Sequence, residues 1–129
     1  MIRTETIVKG FMSPGTALSP TAKTQIAKLP EVVGLVITDA AGAVIEASLE
    51  GAGDLDGETV GAVQLATKQA LSRCGNALAL GPLQRFTVTG PRRASLVTIF
   101  DHQLLGVFID PTKPIGAFER KLATALEQR

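Results

Sequence analysis

The chain has 129 residues, of which 45% are hydrophobic and 19% are charged, and its formal net charge at pH 7 is +1. This length predicts one domain with a buried core, and the near-zero charge gives no electrostatic reason to bind nucleic acid or an anionic membrane. Five Phe residues without Trp or Tyr leave few rings on which bases could stack. A single cysteine and the lack of an apolar run of ~20 residues indicate a cytoplasmic protein without membrane insertion.

The first third of the chain predicts an extension, a short helix and a hairpin. Residues 1–18 contain glycines and a proline that interrupt the one possible strand, so we assign them to an N-terminal extension and residues 19–129 to the domain. Ser19, followed by a proline, marks a helix start, since serine caps the first turn and proline is tolerated at its first position. The β-branched run 32–38 and the alternating residues 43–48 predict two strands joined by a tight turn.

Residues 59–80 predict one long helix that carries unusually little charge. Asp54 or Asp56 can cap its start, and its only charged residues are Lys68 and Arg73. The apolar face, which we expect to pack on the core, consists of Val60, Val63, Thr67, Ala70, Leu71, Cys74 and Leu78. The other faces consist of small or weakly polar residues, namely Ala62, Ala66, Ala77, Gly61, Leu65, Lys68, Gln69, Ser72 and Asn76. Because a surface helix of a monomer normally carries a charged face, these faces indicate a partner helix.

The last third of the chain predicts three strands and a helix. The strands at 85–89, 94–100 and 104–109 are joined by short turns, which force neighbouring strands to be antiparallel. Two prolines mark the start of the final helix. The element order is therefore α-β-β-α-β-β-β-α. It predicts an α/β (α+β) sandwich, a five-stranded antiparallel sheet with the long helix on one face and two shorter helices on the other.

Four segments of the chain resemble the roadblock / dynein light chain family, namely GLVITDAAGAVIEAS, LGPLQRFTVTG, ASLVTIF and HQLLGVFID. The resemblance runs from about residue 20 to the end and includes the long small-residue helix. It implies a dimer in which the long helices pack antiparallel and the strand after the helix pairs with its copy. It further implies either a scaffold or regulator of a Ras-like small GTPase or a light chain of a larger assembly. We expect no cofactor. The alternative is an α/β domain that senses a small molecule between sheet and helix.

No group of residues in the sequence has the pattern of a catalytic, cofactor-binding or metal site. His102 is the only histidine and falls in a predicted turn, so neither a histidine triad nor a histidine metal site is expected. Cys74 lies on the expected core face, which favours a buried small hydrophobe over a reactive thiol. No GxxxxGK[ST] sequence is present, so we expect no GTP hydrolysis by the chain itself. Arg92 and Arg93, at a hairpin tip, are interpreted as exposed turn charges, with contact to an acidic partner as the alternative.

The predicted strand at 85–89 would be an exposed edge in a monomer, and proteins usually cover such edges. Pairing with a second copy would cover it, which together with the low-charge helix predicts a two-fold homodimer. The predicted dimer interface consists of Ala62, Leu65, Ala66, Gln69, Arg73, Phe86 and Val88. The predicted surface for a third protein is an outer strip of the long helix formed by Gly61, Lys68 and Ser72.

Overall fold

The computed structural model of the chain describes residues 2–5, 18–110 and 115–126. Its strands are β1 (Ile2–Glu5), β2 (Val32–Asp39), β3 (Val44–Ser48), β4 (Arg85–Thr89), β5 (Ala94–Ile99) and β6 (Gln103–Ile109). Its helices are α1 (Pro20–Ala27), α2 (Gly57–Ala77) and α3 (Ile115–Leu126), with a 3₁₀ turn at Glu50–Ala52. From α1 onward, these elements confirm the predicted order α-β-β-α-β-β-β-α.

The strands form one antiparallel sheet in the order β1-β4-β5-β6-β2-β3. The meander β4-β5-β6 and the hairpin β2-β3 arise from short connections, as their turn residues predict. The pairing of β2 with β6, from Val32↔Ile109 to Asp39↔Gln103, joins the two units. These strands confirm the predicted five-stranded antiparallel sheet, and β1 adds a sixth strand from within the predicted extension.

β4 is an inner strand of this sheet, which corrects the prediction that it is an exposed edge. It pairs with β5 on one side and with β1 on the other, where Ile2 stands opposite Val88 and Glu5 stands opposite Arg85. A four-residue strand that lies far in sequence from its partner leaves almost no periodic hydrophobic signal. The pairing of β1 is therefore a tertiary feature that sequence patterns do not reveal.

α1 and α3 pack together on one face of the sheet, as predicted. Ser19 caps α1 by accepting a hydrogen bond from the backbone N–H of Ala22 at 3.0 Å. Ile26 of α1 and Phe118 of α3 are fully buried. They share a core cluster with alternate residues of the strands, since successive strand residues point to opposite faces. The cluster consists of Ile26, Leu35, Ile37, Ala94, Leu96, Phe100, Leu105, Val107, Ile109, Phe118, Leu122 and Ala125.

α2 covers the opposite face of the sheet through two smaller apolar clusters. Val60, near the start of the helix, packs with Val36 of β2 and Phe108 of β6. Further along the helix, Leu71 packs against a cluster that contains Phe86 of β4. The long helix therefore lies on one face and the two shorter helices on the other, as predicted.

α2 begins at a side-chain cap and ends earlier than predicted. The Asp56 carboxylate accepts hydrogen bonds from the backbone N–H of Thr59 at 3.0 Å and from its hydroxyl at 2.9 Å. The helix ends at Ala77 because Ala79, with a φ of 56°, turns the chain into the left-handed region that commonly closes a helix. Leu80, which we expected within the helix, lies beyond its end.

Candidate functional site

The side of α2 that faces the sheet is not the side with the regular apolar spacing. The sheet buries or half-buries residues near one line of the helix, namely Val60, Gly61, Gln64, Leu65, Lys68, Leu71 and Ser72. Val63, Ala70 and Cys74, which the spacing assigns to the core, are exposed instead, Val63 by 57%. The predicted core face is therefore wrong at these three positions and at Leu78, which is also exposed. It is correct at Val60, and Thr67 and Leu71 are half-buried.

Two glycines explain why α2 turns a weakly apolar side to the sheet. A Cβ atom on Gly61 would lie 2.6 Å from the carbonyl oxygen of Gly42, so a glycine is required for the helix backbone to approach the β2–β3 turn this closely. A Cβ atom on Gly106 of β6 would overlap the side chain of Gln64, which lies directly against this glycine. Close approach to backbone thus replaces interdigitation of large apolar side chains in this interface.

Gln64 is a buried amide within the same interface, and sequence reasoning did not single it out. It is 4% exposed, and neither its Oε1 nor its Nε2 has a hydrogen-bond partner among the described residues. The hydroxyl of Thr38, whose Cγ2 faces Gly61, is also buried and unpaired within the described structure. A buried unpaired polar group costs about 1–3 kcal/mol. This part of the sheet therefore holds α2 less tightly than an apolar contact of the same size would.

The structure places the predicted dimer-interface residues in different environments. On the side of α2 away from the sheet, the exposed ones are Ala62, Ala66, Gln69 and Arg73. Leu65 and Val88 are half-buried. Phe86 is 2% exposed and belongs to the cluster beneath α2. Its assignment is therefore corrected for the side chain, which is buried within its own chain; a second copy would meet β4 at this position through the strand backbone alone.

The three residues of the predicted outer strip do not form an outer strip. Gly61 is buried against the β2–β3 turn, and Lys68 and Ser72 are half-buried along the same line of the helix. At 100° per residue, positions 68 and 72 lie within about 20° of position 61, so all three share the sheet-facing side. A surface for a third protein cannot be centred on them.

An exposed apolar surface runs along the opposite side of α2. This surface, termed the outer face, consists of Ala62, Val63, Ala66, Gln69, Ala70, Arg73, Cys74 and Ala77. The structure describes α2 along its whole length, and Arg73 is the single charged residue of the outer face. Beyond the helix end, Leu78 is 69% exposed and Leu80 is 49% exposed. A continuous exposed surface of this composition is typical of a protein contact.

A group of ion pairs links the tip of the β4–β5 hairpin to the loop before α2. Arg93 donates a hydrogen bond to Asp54 Oδ1 at 2.8 Å, and Arg92 donates one to Oδ2 at 3.3 Å. The hydrogen bond from Arg93 lowers the pKa of the Asp54 carboxyl below its ordinary value of 3.8, against an opposing effect of desolvation. Both arginines thus pair with an acidic group of their own chain, which favours paired turn charges over contact with an acidic partner.

The remaining candidates for chemistry lie apart from one another. His102 is exposed in the turn between β5 and β6, as expected. Cys74 is exposed on the outer face, which corrects the expectation that it is buried. Within residues 18–110 and 115–126, no three side chains come together as a metal site. In the same part of the chain, no helix has the length and apolar character needed to cross a bilayer.

A cleft of about 540 Å³ lies between α1 and α3. Its polar lining comes from helix surfaces and includes Gln25, Arg120, Lys121 and Thr124. The small-molecule alternative requires a pocket between the sheet and a helix. This cleft lies between two helices, and beneath α2 the space over Gly106 is filled by Gln64. The cleft therefore does not support that alternative.

Comparison with known proteins connects this arrangement to solved structures. No protein-family model matches the sequence, and no curated protein matches it either. MglB of Myxococcus xanthus is 12% identical, with a TM-score of 0.67 over 82% of this chain and 77% of that one. A Roadblock/LC7 domain of Streptomyces avermitilis is 13% identical, with a TM-score of 0.66 over 81% and 88%. An MglB structure with a tetrameric arrangement is 18% identical, with a TM-score of 0.68 over 87% and 89%. The chain therefore has the fold of a roadblock-type domain, as the sequence resemblance implies.

Proposed function

We propose that the chain is a non-catalytic, homodimeric interaction module that regulates or scaffolds a Ras-like small GTPase. The observation that carries this proposal is the outer face of α2, an exposed apolar helix surface with one charged residue. The roadblock-type fold supports it, because the family that the sequence resembles acts on such GTPases through protein contacts. A small-GTPase partner implies a cytoplasmic complex.

The outer face suits a second copy of the same helix. In a two-fold dimer a surface contacts itself, so one apolar patch covers the other. The small side chains of Ala62, Ala66 and Ala70 favour helix axes about 8–10 Å apart. Interface cores are depleted of charge in the way that this face is. Gln69 and Arg73 would supply the polar contacts of the dimer.

Replacing Ala66 by Glu tests the dimer. The substitution places a charge at the centre of the outer face, where an unpaired buried charge costs about 2–5 kcal/mol. We expect the dissociation constant to rise at least about 30-fold, since each 1.4 kcal/mol is a factor of ten. Sedimentation velocity over a concentration series measures the constant. Ala27→Glu, at an exposed alanine of α1, is the matched control. An unchanged constant for Ala66→Glu, or an equal rise in both variants, contradicts the proposed interface.

Binding to a GTPase is tested with purified Ras-like GTPases from the same genome. Each is loaded with GDP or with a non-hydrolysable GTP analogue, and binding is measured by calorimetry. We expect one nucleotide state to bind more tightly, because the γ-phosphate orders the switch segments of such GTPases. Lack of binding to every GTPase in both states contradicts the regulatory role and leaves the homodimer standing.

We expect no nucleotide hydrolysis by the chain itself. Its sequence has no phosphate-binding loop, and its single histidine is exposed in a turn. Phosphate release from GTP by the purified chain is the measurement. Turnover that is abolished by a point mutation in this chain contradicts the non-catalytic assignment.

A further inference from the structure

Both hydrogen-bonding edges of β4 are occupied within a single chain. β5 pairs along one edge, and β1 pairs along the other, with Ile2 opposite Val88 and Glu5 opposite Arg85. Because a strand has two such edges, β4 has none left for another molecule. A second copy can therefore extend the sheet at β4 after β1 has left that edge, and not before.

β4 is well suited to pairing once this edge is open. Its residues, Arg-Phe-Thr-Val-Thr, are rich in β-branched and aromatic side chains and include neither lysine nor proline, which commonly protect edges. Leu71 of α2 and Phe86 of β4 belong to one apolar cluster. The strand and the helix that bears the outer face thus share one apolar cluster.

β1 also sets the distance between two copies. With β1 in place, the edge that a second copy meets is β1 itself, and two additional strands separate the two β4 strands. Neighbouring strands lie about 4.8 Å apart, so these two strands add about 10 Å. That distance is about the diameter of a helix with its side chains. Copies whose α2 helices touch across directly paired β4 strands would lose that helix contact if they paired through β1.

We propose that Ile2–Glu5 is an intramolecular guard strand, which competes with the β4 strand of a second copy for the same edge. When the guard strand is docked, sheet pairing between copies is blocked; when it is released, self-association is strengthened. β1 has four residues against five in β4, so pairing with a second copy can replace its contacts. The inference rests on the homodimer of the proposed function and concerns the regulation of its assembly.

The test holds β1 in place with a reversible covalent bond. The full-length variant carries Ile2→Cys and Val88→Cys, with Cys74→Ser to remove the exposed native thiol. Directly opposed residues of antiparallel strands have Cα atoms about 4.5–5.5 Å apart, within the range of a disulfide. Sedimentation gives the self-association constant of the oxidised and reduced forms. The variant with Val88→Cys and Cys74→Ser, which cannot close the intrachain bond, is the matched control.

We expect the dissociation constant of the oxidised form to exceed that of the reduced form by about tenfold or more, because an intramolecular strand has a high effective concentration. Equal constants in the two forms, with the disulfide verified by mass spectrometry, overturn the guard strand and leave the homodimer intact. If the oxidised and the reduced forms are both monomeric at every concentration, the guard strand and the homodimer are both contradicted.

A second variant weakens the pairing of β1 with β4 instead of fixing it. Neighbouring residues of a strand direct their N–H groups to opposite sides, so prolines at both Arg3 and Thr4 remove a donor to β4 whichever residue supplies it. We expect the dissociation constant of this full-length variant to fall below that of the wild-type protein, with an unchanged circular dichroism spectrum. A constant equal to or above the wild-type value overturns the proposal.

Discussion

The two faces of the sheet are covered in opposite ways. On one face, α1 and α3 bury large side chains such as Ile26 and Phe118 completely and present Lys23 and Arg120 outward. On the other face, α2 meets the sheet partly through glycine and a buried amide, and its exposed side is apolar. On the first face, a single chain already buries the apolar sides of its helices and exposes their polar sides. On the second face, the apolar side of α2 is exposed in the single chain and would be buried, as apolar helix faces usually are, once another molecule covers the helix.

The difference separates the part of the molecule that stabilises the fold from the part that is available for binding. Large apolar residues in a close-packed cluster contribute most of the free energy of unfolding. Apolar residues that remain exposed contribute little to the free energy of unfolding. Their burial would instead contribute to the free energy of binding another molecule. Substitutions on the two faces are therefore expected to affect different measurements.

The largest effect is expected from Phe118→Ala on the α1–α3 side. Removing a fully buried phenylalanine leaves a cavity and lowers the free energy of unfolding by about 3–5 kcal/mol. Val63→Ala on the outer face should change it by less than about 0.5 kcal/mol. Urea unfolding at protein concentrations below the dimer dissociation constant measures both values. Comparable losses in the two variants would remove the contrast between the faces.

Gly106→Ala should have the next largest effect, because its methyl group overlaps Gln64. We expect a loss of about 1–3 kcal/mol in the free energy of unfolding, as for other overpacked sites. Adding Gln64→Ala to the same chain should recover most of this loss, so the double-mutant cycle is strongly non-additive. Gly116→Ala, in α3 with open space around it, is the control and should stabilise the helix. Additive effects at Gly106 and Gln64 contradict the close approach.

Gln64→Met sharpens the comparison further. Methionine has a similar shape and lacks the two unpaired amide atoms, so the free energy of unfolding should rise by about 1 kcal/mol. Gln69→Met, at an exposed position of the same helix, should leave it nearly unchanged. Thermal unfolding of both variants gives the comparison. A loss of stability in Gln64→Met would show that the amide is hydrogen bonded in solution.

The smallest effect is expected from the ion pairs at the hairpin tip. Arg93 lowers the pKa of Asp54 in the folded chain, so the pair stabilises the fold above the ordinary pKa and this contribution is lost as the pH falls through the lowered value. Asp54→Asn should therefore be slightly less stable than the wild type near neutral pH and equally stable in strong acid. Urea unfolding across the acid range measures the difference, with Asp101→Asn as the control. A difference that persists in strong acid contradicts this linkage.

Features encoded in neighbouring residues could be predicted from the sequence. Ser19 caps α1 and Asp56 caps α2, because a capping side chain bonds to a backbone group three residues away. The β-branched runs and short turns predict the antiparallel meander and hairpin in the same way. The predicted end of α2 at Leu80 is wrong, because the helix ends at Ala77 and Ala79 adopts the left-handed conformation that glycine usually takes.

The sequence by itself thus determined the elements, their order and the presence of a long helix with too little charge for a solvated surface. The tertiary structure decided which side of that helix is exposed, because both of its sides are apolar enough to be buried and the close approaches of Gly61 and Gly106 select one of them. It also decided that Phe86 is core and that β1 covers β4. These features depend on contacts between residues far apart in the chain, which local spacing does not record.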